Sequence, residues 1–442
     1  MNQPGQAGPV LRALQRVFKH ASQVEQEEFP AVVTAFLLFF CVLGGYFAVR
    51  PVRETVGTIL GADRVSDLYV VTWIAAVAIV PAYGMLCARY QRSAFLPWIY
   101  GFVAIALATV GTVFLTHREN SVAVGQFFYV MISVLNLFVV SVFWSFLLEV
   151  FTTDQTKRLF PAIAAGGTAG ALAGPFLTDI LVGFIGNAGI LYFGASLFVV
   201  AIICQRVLLR IWTTGGAAGV HAQDRPMGGN PFAGFTLILK SPYLLGIAMF
   251  VILLASANTL LYFEQLNLVA TTFPDTVTRT QVFSRLDYTV QTLTIMAQFL
   301  ITGRVAKKWG VIPLVTIVPL IMIIAFVSLA TFYSFGVLAV AMVARRVGEY
   351  AFVRPGREML FGGLDNETKY KAKTTIDVPV YRGGDALSAQ VDNALQSGGL
   401  SPQNVAMMGA GLCAVWAFNG LLIGRQREAM EARPARPAPA GA

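Results

Sequence analysis

The chain has 442 residues, of which 56% are hydrophobic and only 12% charged; its mean hydropathy is +0.67 and its formal charge +9. Soluble domains carry about a quarter of their residues as charges, so the composition excludes an ordinary soluble domain and implies an integral membrane protein. The basic residues punctuate the ends of apolar runs, as orientation in a bilayer requires, and no nucleic-acid partner is expected.

In residues 1–29, Val10, Leu14, Val17 and Ala21 lie on one side, with Arg12, Arg16 and Lys19 largely off that stripe. This reads either as an amphipathic segment on the inner leaflet or as a solvated tail. It is polar and basic up to Glu28, so no cleavable leader is expected. Six apolar segments follow near 30–57, 66–88, 94–116, 122–151, 159–186 and 188–211, making a half over 30–212. Gly215, Gly216, Gly228, Gly229 and Asn230 mark a central cytoplasmic loop over 213–240. Six more segments, near 241–268, 281–303, 311–333, 335–363, 373–398 and 402–424, make a second half over 241–424. The Arg-, Pro- and Ala-rich stretch 425–442 is expected to be disordered.

With the N-terminus inside, the outer loops hold only Arg64, Arg118 and Arg279, so both termini are expected in the cytoplasm. The fold class is therefore all-α integral membrane: twelve transmembrane helices in two six-helix halves, the layout of the major facilitator superfamily. Gly84 to Arg92 and Gly303 to Gly310 resemble a degenerate form of that superfamily's inner-loop signature. Gly166, Gly170 and Gly174, spaced by four, predict close helix contact. Cys41, Cys87, Cys204 and Cys413 stand singly in apolar runs and read as packing residues. His20, His117 and His221 fall outside the segments, and no metal site is expected.

Eight arginines lie inside apolar spans: Arg50, Arg53, Arg285, Arg345, Arg346, Arg354, Arg357 and Arg382. Unpaired at mid-bilayer they would cost on the order of 20 to 28 kcal/mol, so they must be paired, hydrated or both. Two related strings carry four of them, Arg50-Pro51-Val52-Arg53-Glu54 and Arg354-Pro355-Gly356-Arg357-Glu358. Arginine's fork of donors matches phosphate and carboxylate, and a proline in each string favours a kink. Lys373, Asp377, Tyr381, Asp385 and Asp392 lie close to one stripe of the eleventh span, with Arg382 beside it. In the seventh span, Asn258, Glu264 and Gln265 form a polar break, where Glu264 could carry a proton or pair with an arginine. Such charges serve either as structural ion pairs that lock helices and gates or as contacts to an anionic cargo.

At these residues the chain resembles the ATP:ADP antiporter family, the nucleotide exchangers of intracellular bacteria and plastids, and its relatives in free-living bacteria. The resemblance is carried by Tyr46 to Glu54, by Phe128 to Met131 with Phe143-Trp144 and Lys157-Arg158, and by Lys371 to Val378 followed by Arg382-Gly383-Gly384. It implies transport roles for Arg53 and Lys373, and for Glu264 on a looser alignment. The sequence departs from the exchangers at Ser133, where they carry an acid, and at Pro51-Val52, where they carry a polar pair.

Together these readings predict a secondary transporter of an organic or phosphorylated anion in the bacterial inner membrane, working by alternating access, with ATP/ADP exchange as the specific form. Substrate contacts are assigned to Arg50, Arg53, Arg354, Arg357, Lys373 and Arg382, and coupling or gating to Glu54, Glu264, Asp287, Glu358, Asp377 and Asp385. No cofactor is expected; without a Gly-Lys-Ser/Thr loop, ATP or ADP would be cargo and not fuel. The expected partners are a small anionic solute, a nucleotide in the specific form, and the lipid bilayer, with the chain a monomer. One alternative is a proton-coupled carrier of another solute whose charge pairs act as gates. Another is a non-transporting membrane protein with a carrier fold. A membrane enzyme lacks support, since no G-x-S-x-G or H-E-x-x-H occurs.

Overall fold

A backbone crossing lipid must satisfy its own hydrogen bonds, which restricts an apolar chain without a closed barrel to helices. The computed structural model describes residues 24–90, 92–117, 121–214, 233–362, 364 and 366–431, and each of the twelve expected segments is built around a helix. Spans 1 to 4 are Phe29–Leu60, Ala62–Arg89, Arg92–His117 and Val122–Val150. Spans 5 and 6 form one run, Thr153–Thr214, divided at Gly186, where φ 66° and ψ 178° leave the helical region; only glycine tolerates that backbone freely.

Span 7 is Pro242–Thr272, span 9 Ile312–Thr331 and span 12 Pro402–Glu431. Three spans contain a wide π turn: span 8 at Gln298–Thr302, span 10 at Glu349–Val353 and span 11 at Ile376–Val380. Among the described residues, seven helices are both long and apolar enough to cross a membrane. Spans 2, 8, 10 and 11 are not among them, and the last three are the spans with π turns.

Residues 1–23, most of the central loop and 432–442 lie outside the described residues. Two expected irregular stretches are partly helical. Within 213–240, Ala233–Lys240 forms a helix, and Gly234 sits so close to the Lys371 carbonyl and Thr375 that a Cβ would collide with both. Within 425–442, span 12 continues to Glu431, because Arg425 to Glu431 are strong helix formers. Arg427 Nε there donates to the Met359 carbonyl at 3.0 Å.

The chain forms two compact units. The first comprises residues 1–56, 81–227 and 276–288, and the second 57–80, 228–275 and 289–442. Within the first, span 3 packs along the span 5–6 run; within the second, span 9 packs along span 12 in the equivalent position, and span 7 holds spans 11 and 12. The third-with-sixth pairing thus recurs after six spans, as an internal repeat predicts.

In the first unit the small-residue stripe of span 5 meets span 1. A Cβ on Gly166, Gly170 or Gly174 would strike the backbone of Phe36, Phe40 or Gly44, so glycine is needed for this approach. Overpacking of this kind costs about 1–3 kcal/mol. Gly170→Ala should therefore lower the melting temperature of purified protein, whereas Gly411→Ala, which faces open space, should leave it unchanged. Equal melting of the two variants would remove the close contact from the account.

The entry to span 1 is anchored by Glu28, which is 4% exposed. Its carboxylate accepts from Arg158 Nη2 at 2.9 Å, Gln155 Nε2 at 3.0 Å and the Glu25 backbone N–H at 3.2 Å. Burial alone would push this carboxyl up; the Glu25 N–H, Arg158 and Gln155 outweigh it and hold it below its ordinary value. A lowered folded value gives stability that is present above the ordinary range and lost as pH falls through the folded value. Wild type should thus melt above Glu28→Gln at neutral pH, and the gap should close as the pH falls through that lowered value. A gap unchanged by acid would show that the charge contributes nothing.

Candidate functional site

In the first unit, the side chains of the first arginine string point to a tight cluster. Arg50 Nη1 lies 3.0 Å from Asp287 Oδ1 and its Nε 3.7 Å from Glu54 Oε1. Arg53 Nη2 lies 2.6 Å from the same Glu54 oxygen, and its Nη1 donates to Ser133 Oγ at 3.1 Å. The Arg53 guanidinium also sits 4.9 Å from the centre of the Tyr129 ring, within cation–π range. Two cations here face two acids, and Glu54 and Asp287 are 4% and 3% exposed.

Asp287 belongs to a segment, 276–288, that is fastened to this unit at successive turns. Thr280 Oγ1 bonds Asn187 Oδ1 at 2.7 Å and Thr55 Oγ1 at 2.6 Å. Gln281 donates to the Asp179 carbonyl at 3.2 Å, and Arg285 Nε meets the Asp179 carboxylate at 3.1 Å. Arg285 therefore pairs with Asp179 and not with its sequence neighbour Asp287. Residues two apart on a helix do not face each other.

The second string, in the second unit, is wired differently. Pro355 has no N–H, so it leaves the carbonyl of Ala351 without its helical donor; Thr302 Oγ1, from the π turn of span 8, supplies one at 2.9 Å. The adjacent π turn begins at Glu349, 6% exposed, which serves two arginines: Arg345 Nη1 at 3.2 Å and Arg354 Nη2 at 3.4 Å. Arg345 also donates to Asn258 Oδ1 of span 7, whose Nδ2 donates to Tyr381 at 3.2 Å.

Spans 10 and 11 are then cross-linked by two pairs of opposite sense. Arg357 Nη2 is 3.0 Å from Asp377 Oδ1, and Lys373 Nζ is 2.7 Å from Glu358 Oε2. Further along span 11, Arg382 Nη1 lies 3.5 Å from Asp385 Oδ2, and Asp385 Oδ1 accepts from Thr259 at 3.3 Å. Span 2 contributes Trp73, whose Nε1 donates to the Pro379 carbonyl at 3.2 Å and whose ring lies against Gly383.

The sequence-assigned residues thus fall into two groups. Arg50, Arg53, Glu54 and Asp287 cluster in the first unit with balanced charge. Arg354, Arg357, Lys373, Arg382, Glu358, Asp377 and Asp385 join in the second. With Arg345 and Glu349, five cations share four acids in the described ion pairs, Glu349 serving two of them. Glu264, also in the second unit, stands apart from the arginines: the Tyr333 hydroxyl donates to it. The sequence places Glu349, the hub of the second cluster, among the acids within the spans but gives it no role, although its position four residues after Arg345 and five before Arg354 is a usable signal.

Solvent access sets Arg354 apart from the other arginines of both clusters; the side chains of Arg357 and Arg382 in the second are 14% and 19% accessible. The side chains of Arg50 and Arg53 are 19% and 13% accessible, whereas that of Arg354 is 56% accessible. An accessible arginine within a span is expected to face water or an anion, since one on the lipid-facing surface would be strongly disfavoured. By contrast, a hollow of about 510 Å³ over span 3, lined by Tyr90, Ala94, Phe95, Trp98, Ile99 and Phe102, offers almost no polar surface for an anion.

No protein-family profile matches the chain, and no curated protein matches it by sequence. Solved structures do match in fold. The nucleoside transporter NupG aligns over 90% of this chain and 99% of its own, with a TM-score of 0.63 and 15% identity. A POT family peptide transporter aligns over 92% and 99%, with a TM-score of 0.62 and 12% identity. A bacterial homologue of the iron transporter ferroportin, in an inward-facing state, aligns over 91% and 99%, with a TM-score of 0.61 and 14% identity. At such identities the likeness establishes the fold: the chain is a multi-pass membrane protein with the major facilitator architecture.

Proposed function

We propose that the protein is a secondary transporter that carries a small anionic solute by alternating access, with exchange of ATP for ADP as its specific form. The observation that carries this reading is Arg354, an accessible arginine within a membrane span that shares Glu349 with Arg345. Phosphate or carboxylate cargo would supply a further acceptor, and guanidinium groups bind both bidentately. Arg354, Arg357, Lys373 and Arg382 are the binding set, with Glu358, Asp377 and Asp385 as the acids that hold these cations until cargo displaces them. Arg50 and Arg53, neutralised by Glu54 and Asp287, are reassigned from cargo contact to gating.

Three comparison structures of this architecture are described as transporters, and the resemblance at Lys371 to Val378 favours a nucleotide. ATP or ADP is cargo here and not fuel. The distribution of its loop charges supports both termini in the cytoplasm, and the reading takes the chain as a monomer of a bacterial inner membrane.

Purified protein in liposomes tests this. Uptake of labelled ATP that depends on ADP inside supports the exchange form. Uptake of another anion alone supports the broader reading and removes the nucleotide. Folded protein that moves no anion would refute both.

A further inference from the structure

The second unit holds two acids that none of its cations serves. Glu264 of span 7 is 0% exposed and Asp392 of span 11 is 1% exposed. Spans 7 and 11 are tied by Ser256 with Ser388, Thr259 with Asp385 and Asn267 with Gln396, which sets Glu264 and Asp392 at about the same level.

The surrounding polar groups are few. The Tyr333 hydroxyl donates to one oxygen of Glu264, and Gln396 Nε2 donates to Asp392 Oδ2 at 2.9 Å. Tyr69 and Tyr262 lie beside Phe263, the residue preceding Glu264. The nearest acid further along span 11 is Asp385, which pairs with Arg382. Among the described residues neither Glu264 nor Asp392 has an ion-pair partner. Glu264 Oε1 and Asp392 Oδ1 are both buried with no hydrogen-bond donor.

An ionised carboxylate accepts hydrogen bonds only, and burying one without a counter-charge costs many kcal/mol unless it takes up a proton. Two such groups without a cation cannot both stay ionised in an apolar setting. We infer that Glu264 and Asp392 form a proton-binding site, a proton entering and leaving on these carboxylates as the cargo is moved. No covalent bond to carbon changes; a proton from water adds to a carboxylate oxygen and returns to water. The coupling role rests on the reading of the protein as a transporter, whereas proton occupancy of the pair does not.

Infrared spectra of the full-length protein in lipid at neutral pH give a readout independent of transport. A protonated carboxyl C=O band that is lost in E264Q/D392N is expected; absence of any such band from wild type overturns the site, whether or not the variant folds. In liposomes, an inward proton gradient should drive accumulation of labelled ATP by wild type, and E264Q/D392N should lose that accumulation while retaining exchange against internal ADP. Accumulation driven by a sodium gradient and indifferent to pH overturns the proton. A band present in a protein that ignores ATP supports the site and sinks the nucleotide reading, so the two can fail separately.

Discussion

Glu349→Gln is expected to destabilise the protein by about 3–5 kcal/mol, the usual consequence of removing one partner from a buried ion pair. The substitution keeps the shape of the side chain and removes the charge that Arg345 and Arg354 share. Arg354 is accessible and can be rehydrated; Arg345 is 8% exposed and cannot. A whole domain is stable by only about 5–15 kcal/mol, so the loss should appear as a large fall in melting temperature and in yield of monodisperse protein. Replacing both partners, Arg345→Met with Glu349→Leu, should recover much of the stability, because apolar residues of similar volume often substitute for a buried pair without loss. Unchanged melting of the single variant would mean that water, and not Glu349, solvates Arg345.

Lys373→Ala should behave in the opposite way. Its pair with Glu358 joins side chains that are 30% and 54% accessible, and ion pairs so exposed contribute about 0–1 kcal/mol. Folding should be nearly unaffected. Cargo binding should suffer, since a lost hydrogen bond to a charged group is worth about 1.5–3 kcal/mol, roughly tenfold to a hundredfold in affinity. Arg354→Ala should show the same separation, whereas Arg50→Ala should mainly destabilise, because it strips Asp287 of its partner. Binding of labelled ATP, measured beside melting on the same preparations, checks all three. Full affinity in both Lys373→Ala and Arg354→Ala would take the second-unit cluster out of the binding site.

The membrane spans were readable because a run such as Ile312–Thr331 is apolar on every face, and the span 1–5 contact because glycine at spacing four has few other uses in a membrane. Partners were harder. Arg357 and Glu358 are adjacent in sequence yet point about 100° apart on a helix, so each reaches a different residue of span 11. The placement of 57–80 and 276–288 in units with distant sequence depends on side chains such as Trp73 and Thr280, whose partners are over ninety residues away. Glu264 left two readings open, a proton or an arginine; the structure gives it a tyrosine, which no periodicity announces. Of the π turns, only Pro355, just after one, and Pro379, inside another, hinted at an irregular helix.

Those turns carry a further consequence. A π turn is a regular helix with one residue inserted, and each residue adds about 100° of rotation. Deleting one residue between Glu349 and Val353 would restore even winding in span 10 and swing Arg354 and Arg357 together by over a quarter revolution. Asp377 would then lose the Arg357 guanidinium it pairs with. The spare residue works as a phase shift, letting one rod present an apolar seam to its bundle along one stretch and a cationic edge along the next.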